Sequence, residues 1–387
     1  MRFTILFLSV LLIISSFTFA GNTPTMPMID YPVIGPHSQL PAPDFSAPGT
    51  APPNYTDPVG DVFLMGYTWY DIQHNSTCGH NIRMDDAGYV HVAWMNGLQA
   101  GATDRHIYYQ VLDPNDNLLF PGGGVPVDQM PRAGYTDLWV DASTGRAFPC
   151  FHQGPGGATP FQTGLAYDYF PRVGAFATAQ APQTFQQGQL MEIIWPKVSC
   201  DRNGRFHIVS TENPFSGVAG DPQRNYYLSG EFDPLTLQMN LDSAYSEIAW
   251  TMTISGTVAS SPVSDRVAVG WLKPWTTDPN DTTQHDNDVV VVISNNGTTW
   301  NWADTINITN WIEPDPSLLP DTTLADKDSF RVYAEMDLMF DYNDVLHVFF
   351  NVEGYSHFKN TISRGNSMIW HWDELNQVFS LVANGWF

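Results

Sequence analysis

Three histidines of this chain share one sequence context. His91, His207 and His347 each follow an aspartate by six residues and lie between apolar neighbours. Three imidazoles can bind a zinc ion. Each of these histidines, however, belongs to a separate repeat of the same β-rich phrase, which keeps the three far apart. We therefore predict no metal site here, and we expect each histidine to hydrogen-bond within its own repeat.

A second recurring set consists of polar residues that stand four positions before the leading aspartate of each repeat. An apolar residue follows each of them, so strand alternation turns the polar side chains to the opposite face. In a ring of such repeats that face opens toward a central funnel. We predict a ligand-binding site formed by this set together with a tryptophan that follows Pro274 in a loop: Asn81, Asp137, Lys197, Asp337 and Trp275.

Further carboxylates lie near the starts of the same runs. Glu192, Glu247 and Glu335 could join Asp137 and Asp337 in an acidic pocket. Glycoside hydrolysis needs two carboxyl groups at a defined separation, one as acid and one as base or nucleophile. If the chain is an enzyme, Asp137, Asp337 and Glu335 are the predicted catalytic residues. The separation itself cannot be obtained from the sequence.

The elements that must position these residues are short β-strands. Runs of β-branched and aromatic residues alternate with Gly, Pro, Asn and Asp, and helical periodicity is nearly absent. Aligned on the repeated phrase, the runs form four-stranded meanders, as in propeller blades. The fold class predicted is an all-β β-propeller of antiparallel blades, five in number, with six or seven as the alternative. The run from Asp61 to Tyr70 is predicted to close the ring as an outer strand.

The N-terminal region is predicted to direct export. Residues 1–20 read as a signal peptide, residues 21–60 as a Pro-rich extended leader, and residues 61–387 as the propeller domain. Without the signal, 15 basic residues face 40 acidic ones, a net charge of −25. Such a surface excludes nucleic acid as a partner, and no run is long enough to span a membrane. We expect a secreted protein, extracellular or on the cell surface.

Two loops are rich in oxygen ligands, at residues 113–117 and 278–288. Calcium prefers such ligands, but Asp-Pro-Asn-Asp is first of all a turn signal and neither loop has EF-hand spacing. We therefore predict no metal or cofactor, with calcium as a minor alternative.

One hairpin resembles a known family. The segment from Ile293 to Trp300 is similar to the Asp-box of sialidase-like propellers, with matches at Gly297, Thr299 and Trp300. The phrase around His91 is also similar to repeats in secreted bacterial propeller proteins of undetermined activity. The Asp-box resemblance implies a structural turn between third and fourth strands. The three arginines that a sialidase site requires do not occur on the inner runs, where only Arg83 is found.

The sequence thus favours an exported acidic propeller that binds a glycan or a protein surface without chemistry of its own. The alternative is an extracellular glycoside hydrolase or polysaccharide lyase that uses funnel carboxylates.

Overall fold

The fold is an all-β β-propeller. The structure, a computed structural model, describes residues 61–75, 77–154, 160–213, 222–274, 287–310, 328–356 and 361–384. Within these ranges every regular element is a β-strand, and no helix there is long and apolar enough to cross a membrane. The predicted signal peptide and leader lie outside the described residues.

Five antiparallel meanders follow one another along the described chain. The first comprises β1 (Ile82–Met84), β2 (Val90–Gly97), β3 (Arg105–Leu112) and β4 (Val125–Pro126). The second comprises β5 (Arg132–Asp141), β6 (Arg146–Gly154), β7 (Gln162–Asp168) and β8 (Phe176–Gln180). A two-residue hairpin, β9 (Phe185–Gln186) and β10 (Gln189–Leu190), precedes the third meander.

The third meander comprises β11 (Glu192–Cys200), β12 (Arg205–Asn213) and β13 (Gln223–Asp233), with β14 (Gln238–Leu241) and β15 (Ser246–Thr251) both paired to β13. The fourth comprises β16 (Thr257–Ser260), β17 (Val267–Pro274), β18 (Asn287–Ser294) and β19 (Ile306–Asn307). The fifth comprises β20 (Asp328–Phe340), β21 (Leu346–Ser356), β22 (Thr361–Asp373) and β23 (Phe379–Asn384). Each meander is a blade, numbered here in chain order.

Consecutive blades bury apolar faces against each other. One cluster joins blades 1 and 2, another joins blades 2 and 3, a third joins blades 3 and 4, and the largest joins blades 4 and 5. Strand β18 shows why: Val289 to Val292 are all buried, because both faces of a middle strand lie against neighbours. The aromatic residues provide much of this contact area. Trp370 and Trp372, for example, are core residues.

The repeated Asp-to-His phrase forms the first hairpin of a blade, as predicted. The Asp201 carboxylate accepts the backbone N–H groups of Asn203 and Arg205 and closes the turn. His207 Nε2 lies 3.2 Å from Asp201, and its Nδ1 lies 2.6 Å from the Tyr227 hydroxyl. Burial lowers the pKa of His207, so a neutral ring donates to the aspartate and accepts from the tyrosine. His91 repeats this arrangement with Asp85 and Tyr109.

Blades 1 and 5 differ from the other neighbours in how they meet. Ile82 and Met84 on β1 are 64% and 68% exposed, whereas Leu138 and Val140, at the matching positions of β5, are 0% and 4% exposed. In the described part of the chain, the outer face of β1 is therefore not packed against blade 5. The two blades meet instead near the start of their inner strands.

The segment before β1 does not close the ring. Residues 61–70 form no strand and lie along blade 1, where the Trp69 N–H donates to the Gly97 carbonyl and the Trp94 indole donates to the Tyr67 carbonyl. The predicted closing strand is therefore wrong. The outer strand of blade 5 is its own β23, paired with β22.

Candidate functional site

The inner strands bring a histidine and two aspartates together at the ring axis. His80 lies just before β1 in blade 1, Asp137 on β5 in blade 2 and Asp337 on β20 in blade 5. His80 Nδ1 is 3.2 Å from Asp137 Oδ1, and His80 Nε2 is 3.1 Å from Asp337 Oδ2. One imidazole thus links three blades. We call His80, Asp137, Asp337 and Lys197 the axial cluster.

The two aspartates of the axial cluster differ in environment. The Asp137 side chain is 1% exposed and accepts the backbone N–H groups of His80 and Val198, each at 2.6 Å. The Asp337 side chain is 39% exposed and also accepts the N–H of Leu338. Asp137 is therefore enclosed by protein donors, whereas Asp337 faces the opening.

The charges of the axial cluster follow from these contacts. Although burial opposes protonation of His80, hydrogen bonds to both carboxylates raise its pKa to about 9. The His80 contacts in turn hold the pKa of Asp137 below its ordinary value, against the effect of burial. At neutral pH the cluster is an imidazolium held between two carboxylates.

Lys197 is the fourth member of the axial cluster, and the charges of Glu335, Lys197 and Asp337 all act on Cys78. Lys197 on β11 is buried; desolvation lowers its pKa, while the charges of Asp137 and Asp337 act in the opposite direction. Glu335 lies two residues before Asp337 on β20. The pKa of the Cys78 thiol is raised by desolvation and then by the charge of Glu335, so this carboxylate lies near Cys78.

The structure thus brings together Asp137, Lys197 and Asp337 of the predicted set. Asn81 does not join them, because its side chain donates to the Ala93 carbonyl inside blade 1 and His80 occupies the axial position instead. The Glu192 carboxylate accepts hydrogen bonds from the Phe161 N–H and the Asn213 side chain and does not join the cluster. Glu247 lies on the outer strand β15 and pairs with Arg224 of β13. Trp275 lies outside the described residues.

Backbone irregularities occur near the starts of two inner strands. β5 shifts register between Gly134 and Asp137, and β11 shifts between Ile194 and Lys197. Tyr135 and Trp195, in these two bulges, have φ values of 49° and 52°. Left-handed backbone at a bulky residue costs on the order of 1–3 kcal/mol and concentrates at functional sites. The bulges set both rings beside His152, at centroid distances of 5.5 Å for Tyr135 and 6.3 Å for Trp195.

Around these rings lies a second group, which we call the arginine–tyrosine pocket: Tyr70, Arg105, Arg132, Tyr135, His152 and Trp195. The Tyr70 and Tyr135 hydroxyls are 3.0 Å apart, and the Arg105 guanidinium lies 4.8 Å from the Tyr70 ring centroid. His152 is buried beneath, with its ring centroid 5.5 Å from that of Tyr135. Burial, followed by the charges of Arg105, Arg132 and Lys197, lowers the pKa of His152 to about 3.

The sequence reasoning missed His80 and the whole arginine–tyrosine pocket. His80 directly precedes Asn81, so a one-residue change in the alignment would have found it. Tyr70 precedes the first blade, and Arg105 and His152 lie on β3 and β6, so no spacing rule connects them. Tyr135 and Trp195, which stand two residues before Asp137 and Lys197, carried a signal in the inner strands.

The described ranges contain no cluster of three or more His, Cys, Asp or Glu residues arranged to hold an ion. Asp113 instead accepts the N–H groups of Asn115 and Asn117, as a turn does. Most of the second oxygen-rich loop lies outside the described residues. Calcium therefore stays an untested minor alternative.

At the other end of the inner strands lies a cavity of about 950 Å³, whose lining includes residues of all five blades and most of all of blades 2 and 3. Trp139, Phe148, Phe206 and Arg146 contribute to its lining. The inner strands thus have a candidate site at each end. Within the described residues, only the end with the axial cluster has an imidazolium placed between carboxylates.

No family model and no curated protein matches this sequence. Three solved structures resemble the fold: the polysaccharide lyase Uly1, a thermostable family-43 glycoside hydrolase, and an α-L-arabinofuranosidase from Fusarium graminearum. They are 10%, 9% and 7% identical to this chain, with TM-scores of 0.45, 0.39 and 0.40. The matches cover 85%, 80% and 83% of this chain and 76%, 96% and 98% of the others. Likeness at this level assigns no activity.

Proposed function

We propose that this protein is an exported carbohydrate-active enzyme that cleaves glycosidic bonds at the axial cluster. The observation that carries the proposal is the position of His80, whose protonated ring is held by buried Asp137 on one side and meets the exposed Asp337 on the other. Cleavage of a glycosidic bond needs a proton donor and a proton acceptor that face the same substrate. This site offers both.

The roles follow from exposure. Asp337 faces the opening and is the proposed base, with Glu335 on the same strand as a second carboxylate beside it. His80 carries the proton that the leaving oxygen would receive. Asp137 is a positioning residue, because its oxygens are occupied by Val198 N–H and by His80. The imidazole between the two aspartates also keeps them too far apart to act as a retaining pair, which needs about 5–5.5 Å.

The second candidate is a binding module without chemistry. The same contacts that orient His80 also join blades 1, 2 and 5. In this second candidate function, the axial cluster only stabilises the folded ring. Activity of matched variants separates the two functions.

We expect the full chain to cleave at least one member of a panel of plant, algal and bacterial polysaccharides, measured as new reducing ends. Asp337→Asn should lower kcat by about 100-fold or more, because proton transfer contributes on the order of 10²–10⁴. Asp86→Asn, on an exposed carboxylate at the far end of β1, should change nothing. Formation of an ultraviolet-absorbing double bond distinguishes elimination from hydrolysis. Absence of turnover on the whole panel, or full activity of Asp337→Asn, contradicts the proposal.

A further inference from the structure

The arginine–tyrosine pocket holds positive charge that no carboxylate of the described residues pairs with. Arg105 is 7% exposed, and Arg132 stacks over Phe161 at 5.6 Å. Within the described residues neither forms an ion pair, whereas Arg172 pairs with Asp85, Arg224 with Glu212 and Arg266 with Glu374. In a chain with 40 acidic and 16 basic residues, two adjacent arginines left without an acid are unusual.

The pocket also holds buried donors without acceptors. Arg105 Nε, Arg132 Nε and Trp195 Nε1 are inaccessible to solvent and have no hydrogen-bond partner among the described residues. His152 relates all three: both arginines lower its pKa, and the Trp195 ring centroid lies 6.3 Å from its own. Each buried donor without a partner costs about 1–3 kcal/mol, and more when it is charged. A feature of this cost needs a compensating role.

From these two observations we propose that the arginine–tyrosine pocket binds an oxyanion on the substrate, a uronate carboxylate or a sulfate ester, so that the preferred glycan is acidic. This inference rests on the proposed glycan-cleaving function and names its substrate class. An oxyanion supplies both the charge that the arginines lack and several acceptor lone pairs. The half-buried hydroxyls of Tyr70 and Tyr135 form the rim through which it enters.

The pocket is placed to act together with the axial cluster. Tyr135 stands two residues before Asp137 on β5, and Trp195 stands two residues before Lys197 on β11. The Lys197 charge lowers the pKa of His152, and the charges of Asp137 and Asp337 raise the pKa of Lys197. Lys197 therefore lies near both groups. A sugar unit whose oxyanion sits in the pocket would therefore present its glycosidic bond near His80 and Asp337.

The cationic pocket also explains how an acidic protein can attract an acidic glycan. The overall charge of the mature chain repels polyanions at long range, over roughly 8–10 Å at physiological ionic strength. Arg105, Arg132 and Lys197 reverse the sign locally, where the walls are desolvated and charge interactions are strongest. Selection then occurs at short range, by fit to the pocket.

The test is calorimetric titration of the full-length Asp337→Asn chain, which separates binding from turnover. The probes are hexauronates of galacturonate, mannuronate and glucuronate, their carboxyl-reduced counterparts, and a sulfated galactan hexasaccharide. We expect at least one acidic hexasaccharide to bind about tenfold or more tighter than its neutral counterpart, with the carboxylate and sulfate arms identifying the group. Adding Arg132→Gln should remove this preference, and Arg132→Lys should restore part of it.

Arg146→Gln is the matched control, since Arg146 also stacks on an aromatic ring but lies outside the pocket. It should leave the preference for the acidic probe unchanged. Equal binding of acidic and neutral probes, or an unchanged preference in a folded Arg132→Gln variant, overturns the inference. If the chain binds acidic probes selectively but cleaves no glycan, the proposed function is contradicted and the pocket assignment stands. Turnover of neutral glycans without charge selectivity would do the reverse.

Discussion

His80 is the residue on which the site depends. It is one ring between two carboxylates that come from other blades, 57 and 257 residues away along the chain. A buried carboxylate such as Asp137 is costly to keep charged without a cation beside it, and His80 supplies that cation. The same proton that His80 would deliver in catalysis therefore also stabilises the folded ring.

The first residue-scale prediction concerns this proton. Because the pKa of His80 is raised to about 9 in the folded state, its stabilising contribution is complete below the ordinary value of 6.5 and is lost as the pH rises through about 9. Between about pH 6 and pH 10 the wild type should lose on the order of 2–3 kcal/mol of unfolding free energy more than His80→Gln. Urea titrations at both pH values measure the difference. If both proteins lose the same unfolding free energy between these pH values, the pKa of His80 is not raised in the folded state.

At the scale of elements, the Asp-to-His hairpin is one device used in different environments. In blade 1 the Asp85 carboxylate is fully buried and binds His91, Arg172 and the backbone N–H groups of Ala87 and Tyr89. In blade 5 the equivalent Asp341 is partly exposed and mainly closes its turn. The two hairpins share the leading aspartate and the histidine six residues later, and the packing around these residues differs.

We therefore predict that Asp85→Ala destabilises the protein by about 3 kcal/mol or more, because it leaves Arg172 and His91 without their buried partner. Asp341→Ala should lower Tm much less, since solvent can replace its contacts. Thermal unfolding of both variants, followed by near-ultraviolet circular dichroism, provides the comparison. Equal shifts in Tm would mean that Arg172 and His91 contribute little in blade 1.

The Asp-box resemblance concerns an element too. Asn296, rather than Asn295, accepts the N–H groups of Thr298 and Thr299 and pins the turn after β18. Trp300 stacks on Trp302 at 4.6 Å and contacts Tyr227 of blade 3. This hairpin is structural, and its role lies in joining blades 3 and 4.

At the scale of the whole molecule, the contacts between the first and last blades that involve described residues lie near the axis. His80 meets Asp337, and the Thr77 hydroxyl donates to the Ala334 carbonyl at 3.4 Å. Beyond these contacts Ile82 and Met84 of blade 1 and Met339 of blade 5 are exposed. The axial cluster thus also helps to hold blade 1 against blade 5, where the ring closes.

A pair of matched substitutions tests this arrangement. Leu138→Ala in β5 should cost about 2–5 kcal/mol, as expected for a buried leucine, whereas Ile82→Ala at the same strand position should cost less than about 1 kcal/mol. Urea unfolding midpoints measure both. A loss for Ile82→Ala as large as that for Leu138→Ala would show that this face of blade 1 is covered in solution.

The sequence by itself determined what depends on neighbours along the chain. Period-2 alternation gave the strands, and an aspartate that caps its own turn gave the hairpin register of each blade, so the all-β propeller and the structural histidines were predictable. It also pointed to Asp137, Lys197 and Asp337. These residues converge because each holds the same position in its own blade and the blades are arranged around one axis.

Only the tertiary structure decided which residues complete the site. A register slip of one residue exchanges the two faces of a strand, and this is why His80 stands at the axis and Asn81 does not. The bulges at Tyr135 and Trp195 are likewise fixed by packing against neighbouring blades. Arg105, Arg132 and His152 meet because strands from two blades abut, and no pattern along the chain records that contact.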